Sequence, residues 1–413
     1  MTKRRILLGV LAAATALAAL AAAAGDAQAV PAFARKYQLS CTTCHAPFPR
    51  LKPFGEEFAG RGFRMEAGQE PARATFDVGD PLLALARDLP LAVRMEGYLS
   101  WKEDSAAEND VEWPWVWKIL SGGPISPKAS YYFYFLMERG EVVGLEDAYL
   151  QLNDVLGSGF DLIGGQFQVC DPLFKRELRL ERFDYLIFKT QVGLAPVDLT
   201  YDRGLMLARG LPGDVDMVAM VVQGNGIGAA EDAGVSDFKN HDQDKQKNFA
   251  LRLARQFGPV RLGAFGYYGK TEAVEGEAAD AGVKNETFYV GPDLVVDFGD
   301  KAQLNVQFLY REDNDPFFGG SEAKHCTRGG FGELHWFPQG QDGRWALSAL
   351  YNRVTSRGAV PEEYAPDYAS PDRETASLTV NRLISRNLRL FVEGGRDLEA
   401  EKTRGSVGLV TAF

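Results

Sequence analysis

Gln303-Leu304-Asn305-Val306-Gln307-Phe308-Leu309-Tyr310-Arg311 is the stretch that decides the fold. Leu304, Val306, Phe308 and Tyr310 fall on one side of an extended chain, and Gln303, Asn305, Gln307 and Arg311 on the other. A period of two with one apolar and one polar face is a strand; a helix would repeat its apolar positions every three or four residues. The alternation recurs where Trp345, Leu347, Ala349 and Tyr351 oppose Arg344, Ser348 and Asn352, and where Leu388, Leu390 and Val392 oppose Arg389 and Glu393. About sixteen such segments run through residues 89–413, from 89–102, 110–120, 128–139, 145–153 and 160–169 to 374–385, 387–397 and 403–413.

The connections say what kind of sheet this is. Short turns (Leu211-Pro212-Gly213-Asp214, Phe257-Gly258-Pro259, Phe298-Gly299-Asp300-Lys301, Ser385-Arg386-Asn387) are interleaved with long polar stretches at 224–248, 271–285, 312–329 and 356–373. A bacterial transmembrane barrel has short periplasmic turns and longer outer loops. A soluble sandwich also alternates, but its long loops have no reason to fall on every second connection. An even strand count returns both barrel ends to the periplasmic side. Trp113, Trp115 and Trp117 share one strand face, as an interfacial aromatic girdle would, and Phe413 ends the chain on the face of Val407 and Leu409. The expectation is an all-β, antiparallel transmembrane barrel of about sixteen strands over 89–413, in the bacterial outer membrane.

The first residues read as an export signal. Lys3, Arg4 and Arg5 precede an apolar stretch from Ile6 to Ala24, and Ala27-Gln28-Ala29 fits a small-x-small cleavage site, giving a signal peptide over 1–29. The apolar stretch is nearly long enough to be a membrane anchor; its Ala-rich composition and the cleavage site favour removal. No later stretch approaches the roughly 20 apolar residues of a membrane helix. Losing Lys3, Arg4, Arg5 and Asp26 takes the net charge from −11 to −13, which argues against nucleic acid as a partner. Four cysteines are too few for a disulfide framework.

Residues 30–88 are punctuated by Pro, Gly and charge, with short helical patterns at Leu51–Gly60 and Pro81–Asp88. They contain Cys41-Thr42-Thr43-Cys44-His45. The C-x-x-C-H spacing lets two thiols form thioethers to haem vinyl groups while the next imidazole reaches the iron, which assigns one covalent haem c to Cys41, Cys44 and His45. A thioredoxin-like pair would need a βαβ context, and a zinc site a second pair at ligand spacing; Cys170 and Cys326 do not supply one. Met65, about twenty residues after His45, is the first candidate for the sixth ligand, and thioether ligation would raise the potential. His335 is the second. It alternates with Glu333, opposite Leu334 and Trp336, and so points into the lumen near a periplasmic turn. Parity puts Met95 on the lipid face; His241 and His325 fall in outer loops. Arg50, Lys52, Arg61 and Arg64 surround the motif and could pair haem propionates or be solvated. Cys170 and Cys326 fall in outer loops where a disulfide is chemically permitted. Outer-loop acids (Glu272, Glu275, Glu277, Asp280, Asp313, Asp315, Glu362, Glu363) could attract cations such as Fe²⁺, or simply keep the loops solvated.

Pro31-Ala32-Phe33-Ala34-Arg35, Cys41-x-x-Cys44-His45, Pro49, Leu51, Phe54-Gly55, Phe58 and Gly62-Phe63 resemble the fused outer-membrane cytochrome-porins of iron-oxidising bacteria, with Phe63 standing where that pattern has Tyr. The resemblance covers about forty residues closely and the barrel in length and style. It implies a monohaem segment lodged in or beneath a barrel of about sixteen strands, passing electrons from extracellular Fe(II) to periplasmic carriers such as soluble c-type cytochromes. It also implies haem attachment at Cys41 and Cys44 and axial ligation by His45. Residues 144–152 and Gly164-Gly165-Gln166-Phe167 resemble phosphate-selective porins instead, which implies a pore for small anionic solutes. Residues 30–88 hold few apolar residues for a core of their own. They are expected to insert into the lumen from the periplasmic side, where parity offers Arg94, Arg252, Arg261, Arg344 and Arg389 to propionates or to Glu56, Glu57 and Glu66.

Overall fold

A computed structural model describes residues 32–65, 75–76, 78–80, 85–86, 90–227, 242, 244–273, 282–319, 324–362, 364–365 and 368–413. The signal-peptide reading, Glu66, His241, Glu275, Glu277, Asp280 and Glu363 lie outside them. Sixteen strands form one closed antiparallel barrel: β1 Leu91–Lys102, β2 Asn109–Ser126, β3 Ala129–Glu138, β4 Glu141–Leu152, β5 Asp161–Gln168, β6 Tyr201–Leu211, β7 Val215–Val222, β8 Asn248–Phe257, β9 Val260–Glu272, β10 Lys284–Phe298, β11 Ala302–Asp313, β12 His325–Trp336, β13 Trp345–Arg357, β14 Arg373–Ser385, β15 Leu388–Asp397 and β16 Lys402–Ala412. Each strand pairs with its chain neighbours, and β16 closes on β1 from Arg404↔Lys102 to Ala412↔Arg94.

The two faces are inverted relative to a soluble protein. On β11 the polar Asn305, Gln307 and Arg311 are buried, while Phe308 is 47 % exposed. Leu251, Leu253, Val290 and Leu378 likewise lie bare on the outside, and Arg252, Asp293, Asn352 and Glu393 are buried within. Apolar surface outside and hydrogen-bonded polar groups inside is the arrangement lipid imposes, because closure leaves no unpaired edge in hydrocarbon. No helix among the described residues is long and apolar enough to cross a membrane.

One barrel end carries only compact connections, 127–128, 153–160, 212–214, 258–259, 299–301, 337–344 and 386–387. The other carries the long ones, together with three short connections, 103–108, 139–140 and 398–401, that interrupt the expected rule of long outer loops. Trp113 and Trp117 face outward, but a register shift between Glu96 and Tyr98 on the partner strand turns Trp115 inward. There it meets Tyr98 and the Arg182 guanidinium. The helical reading of 81–88 is corrected at Leu85–Ala86, which pairs with Thr75–Phe76 as a two-residue ladder.

The largest departure is the β5–β6 connection. Expected as an outer loop, residues 169–200 fold into the lumen. Cys170, Leu180, Ile187, Phe188 and Leu199 are at most 1 % exposed, and Phe174, Tyr185 and Phe188 pack on Phe331 of the wall. Arg182 donates to Ser406 Oγ (2.8 Å) and Glu112 Oε2 (2.6 Å), and Arg311 reaches back to the carbonyls of Thr190 (2.7 Å) and Val197 (2.9 Å). Cys170 and Cys326 are both free thiols, so the permitted disulfide is not formed. His325, expected in a solvated loop, is 1 % exposed against Phe317, and Asp313 and Asp315 are buried as well.

Candidate functional site

Residues 32–65 dock inside the barrel at the end with compact turns. They form α1 (Ala32–Tyr37), α2 (Cys41–Cys44) and α3 (Pro53–Gly60). α2 is a single turn capped by Ser40, whose Oγ accepts from the Thr42 N–H, and closed by the His45 N–H donating to Cys41 O at 2.9 Å. One helical turn brings residues three and four apart to the same side, so Cys41, Cys44 and His45 present together. α3 starts with Pro53 in its first turn, where a missing N–H costs nothing. It lies hard against α2: the Lys52 N–H donates to Cys44 O (2.8 Å), and a Cβ on Gly55 would stand 2.5 Å from that same oxygen.

A cavity of about 270 Å³ opens beside the motif. Cys41, Cys44, His45, Phe48, Phe58 and Phe63 line one side, and Leu120, Tyr132, Tyr134 and Tyr149 of β2–β4 the other. Asp171, Lys175, Glu177 and Leu178 of the in-folded segment complete it, and Arg94, Lys118 and Arg386 stand at its polar parts. Phe33 stacks on Phe63 at 4.8 Å between ring centroids, and Phe63 meets Tyr132 at 5.1 Å, which joins the small N-terminal core to the barrel wall.

His45 Nδ1 lies 3.1 Å from Pro49 O and 3.2 Å from Arg50 O. Two carbonyls at one ring nitrogen fix the Nδ1–H tautomer and leave the Nε2 lone pair free, as in metal-bound histidines. Burial pushes this imidazole below the ordinary histidine value, so the ring stays neutral. Burial also pushes the Cys41 and Cys44 thiols up. A redox-active cysteine pair needs the opposite, a stabilised thiolate. Paired thiols, a pre-oriented imidazole and an aromatic-lined cavity fit a haem c. Its attachment would fall to Cys41 and Cys44 and its axial ligation to His45.

The other candidates separate. Met65 packs on the Tyr37–Phe58–Phe63 cluster and is not among the cavity-lining residues. His335 is fully buried in β12, with Nδ1 2.8 Å from Ser348 Oγ and Nε2 2.8 Å from Glu333 Oε2. Arg50 bonds Gln303, Lys52 pairs with Asp342, and Arg61 pairs with Glu57 at 2.6 Å. Arg261 reaches Glu56 of α3 at 3.8 Å, as parity anticipated, whereas Arg344 is exposed at a turn. The sequence reading missed Lys118, Lys175 and Glu177. Burial alone would raise the Glu177 carboxyl, but Lys118 and Arg94 prevail and hold it at about 2. The apolar density of 173–188 was the signal that this segment is no ordinary loop.

No family model and no curated protein matches this sequence. Solved outer-membrane barrels do match the structure. A loop L8 deletion mutant of OmpT from Vibrio cholerae and the anion-selective porin from Comamonas acidovorans each align with 79 % of this chain and 99 % of their own, at 12 % identity and TM-score 0.54. The outer membrane channel DcaP of Acinetobacter baumannii aligns with 79 % of this chain and 97 % of its own, at 12 % identity and TM-score 0.52. The chain therefore has the closed sixteen-stranded fold of outer-membrane porins.

Proposed function

We propose that this chain is an outer-membrane cytochrome-porin: a barrel whose lumen holds one haem c and carries electrons across the membrane, from extracellular Fe(II) to periplasmic carriers. The observation that carries the reading is the joint opening of Cys41, Cys44 and His45 onto an aromatic-lined cavity within the barrel. A haem held by Cys41, Cys44 and His45 would supply one-electron chemistry between extracellular Fe(II) and a periplasmic acceptor. The chain's own residues prepare for it. The Pro49 and Arg50 carbonyls orient His45, and Phe33, Phe58 and Phe63 keep that side dry. Arg94, Lys118 and Arg386 offer cationic partners for propionates. Cys44→Ala should abolish the haem-stained band on denaturing gels, and wild-type haem should be reduced in intact cells by an Fe(II) complex that does not cross the membrane. A stained band surviving in Cys44→Ala, or reduction only after permeabilisation, would sink the assignment.

A second reading, a pore for small solutes with a structural or sensory haem, is favoured by the porin fold and by a second cavity of about 760 Å³ between α3, the in-folded segment and β4–β11. Deleting residues 30–88 separates the two. For the conduit, the deletion should raise ionic conductance in planar bilayers severalfold. Equal conductance with and without the segment would favour the open pore.

A further inference from the structure

Away from the cysteine motif, three ligand-bearing side chains converge at the lumen wall: Glu181 of the in-folded segment and Glu333 and His335 of β12. One coordinating atom from each lies within 4.8 Å of the others, and all three side chains are 0 % exposed. Each is also anchored from behind. Ser348 Oγ holds His335 Nδ1 at 2.8 Å. The Tyr185 hydroxyl donates to Glu333 Oε1 and Asn305 Nδ2 to Glu333 Oε2, both at 2.7 Å. The Leu180 N–H donates to Glu181 Oε2 at 3.0 Å. Outer partners that fix both the ring and the carboxylates are the usual support of metal ligands.

A second observation points the same way. Glu181 Oε1 is buried and aimed at His335, 3.8 Å from Nδ1, and shares the Ser348 hydroxyl with that nitrogen. A carboxylate at zero exposure beside a second carboxylate is costly even with one shared hydroxyl next to it. A cation between the three groups would satisfy it. We propose that Glu181, Glu333 and His335 bind one divalent first-row transition-metal ion within the lumen. One imidazole with two carboxylates suits Zn²⁺, Fe²⁺ or Mn²⁺, while Ca²⁺ and Mg²⁺ prefer all-oxygen sets and Cu(I) prefers sulfur. The ion binds with the neutral ring nitrogen and the ionised carboxylates, and open coordination positions are left to water. Asn305 and Tyr185, which both donate to Glu333, also line the 760 Å³ cavity, so the cluster lies directly behind its wall.

None of the three ligands belongs to the cysteine-bearing segment, so the site stands apart from the haem reading. The test uses full-length protein in detergent, equilibrium dialysis against Zn²⁺, and Mn²⁺ paramagnetic resonance. The expected result is one tightly held Zn²⁺ per chain that Glu181→Gln and His335→Gln lose. Ser348→Ala should weaken it by about 10- to 100-fold, the usual cost of removing an outer partner. Heat-modifiable gel migration confirms that each variant is folded. Carboxylates of the outer loops contribute equally to all variants and cancel in the difference. Cys44→Ala should hold the ion as wild type does, whatever becomes of its haem. Equal uptake by wild type and folded Glu181→Gln would overturn the proposal and leave His335 as a buried ring hydrogen-bonded to Glu333 and Ser348.

Discussion

Two segments share the inside of this barrel, and they are held there by different physics. The in-folded segment, 169–200, shares an apolar core with the wall and is fastened in addition by buried charge. Arg311 spans Asp313, Tyr289 and the carbonyls of Thr190 and Val197; Arg182 spans Glu112 and Ser406; Arg389 donates to Leu180 O. The N-terminal segment, 32–65, is fastened mainly by rings. Phe63 lies on Tyr132, and Phe48 sits in the cluster of Tyr98, Leu383, Phe391 and Val410. Its ion pairs to the wall, Lys52–Asp342 and Arg261–Glu56, each involve a solvent-exposed partner. Removing the first segment would strip Arg311 and Arg389 of buried carbonyl partners and Lys118 of Glu177; removing the second would cost the wall its pairs at Arg261 and Asp342. One is part of the barrel and the other is its guest, and the cysteine motif lies on the guest, where it meets the host.

The comparison breaks most visibly at Arg311. Arg311→Met leaves Asp313, still held by Asn285 and Thr287, without its counter-charge at zero exposure and two carbonyls without their donor, which should cost about 3–5 kcal/mol. Denaturant titration in micelles should show that loss, together with raised conductance as the segment loosens. A loss under about 1 kcal/mol would mean that charge does not fasten the segment. Gly55→Val probes the guest. Its Cβ meets a backbone oxygen 2.5 Å away, so α2 and α3 must part, at about 1–3 kcal/mol. The barrel should stay folded while the haem content per chain falls, because the strain stays within the N-terminal segment. The smallest effect is expected at Met65. Met65→Leu conserves volume and should cost less than about 1.5 kcal/mol, with the haem absorption spectrum and potential unchanged. A changed spectrum would bring Met65 back as the sixth ligand.

The barrel was legible because its signal is local. Period-two alternation in Gln303–Arg311 needs no knowledge of neighbours, and the same parity placed Arg252, Arg261 and His335 inward and Leu334 outward. The cysteine motif was legible because C-x-x-C-H sets three residues within five positions on one helical turn. Parity failed where the strand was irregular, as at Trp115, where one register shift reverses the face. It also failed where a connection had the length of a loop but the composition of a core. Leu173, Phe174, Leu180, Phe183, Ile187 and Phe188 are spaced too irregularly to announce either a strand or a helix.

What the sequence determined by itself is therefore short-range: the inversion of apolar and polar faces, the approximate strand count, the alternation of connections, and the pairing of Cys41, Cys44 and His45. Each of these follows from residues a few positions apart on an extended chain or a single helical turn. Only the tertiary structure decided which groups share the lumen. It brought Tyr132, Lys118 and Glu177 to the cavity beside His45, left Met65 behind the aromatic cluster, and set Glu181 against Glu333 and His335 across some 150 positions of chain. Barrel closure makes such partners meet, because the order of strands around the wall and the path of a segment crossing it are set by pairing and burial, and no local pattern of residues encodes either.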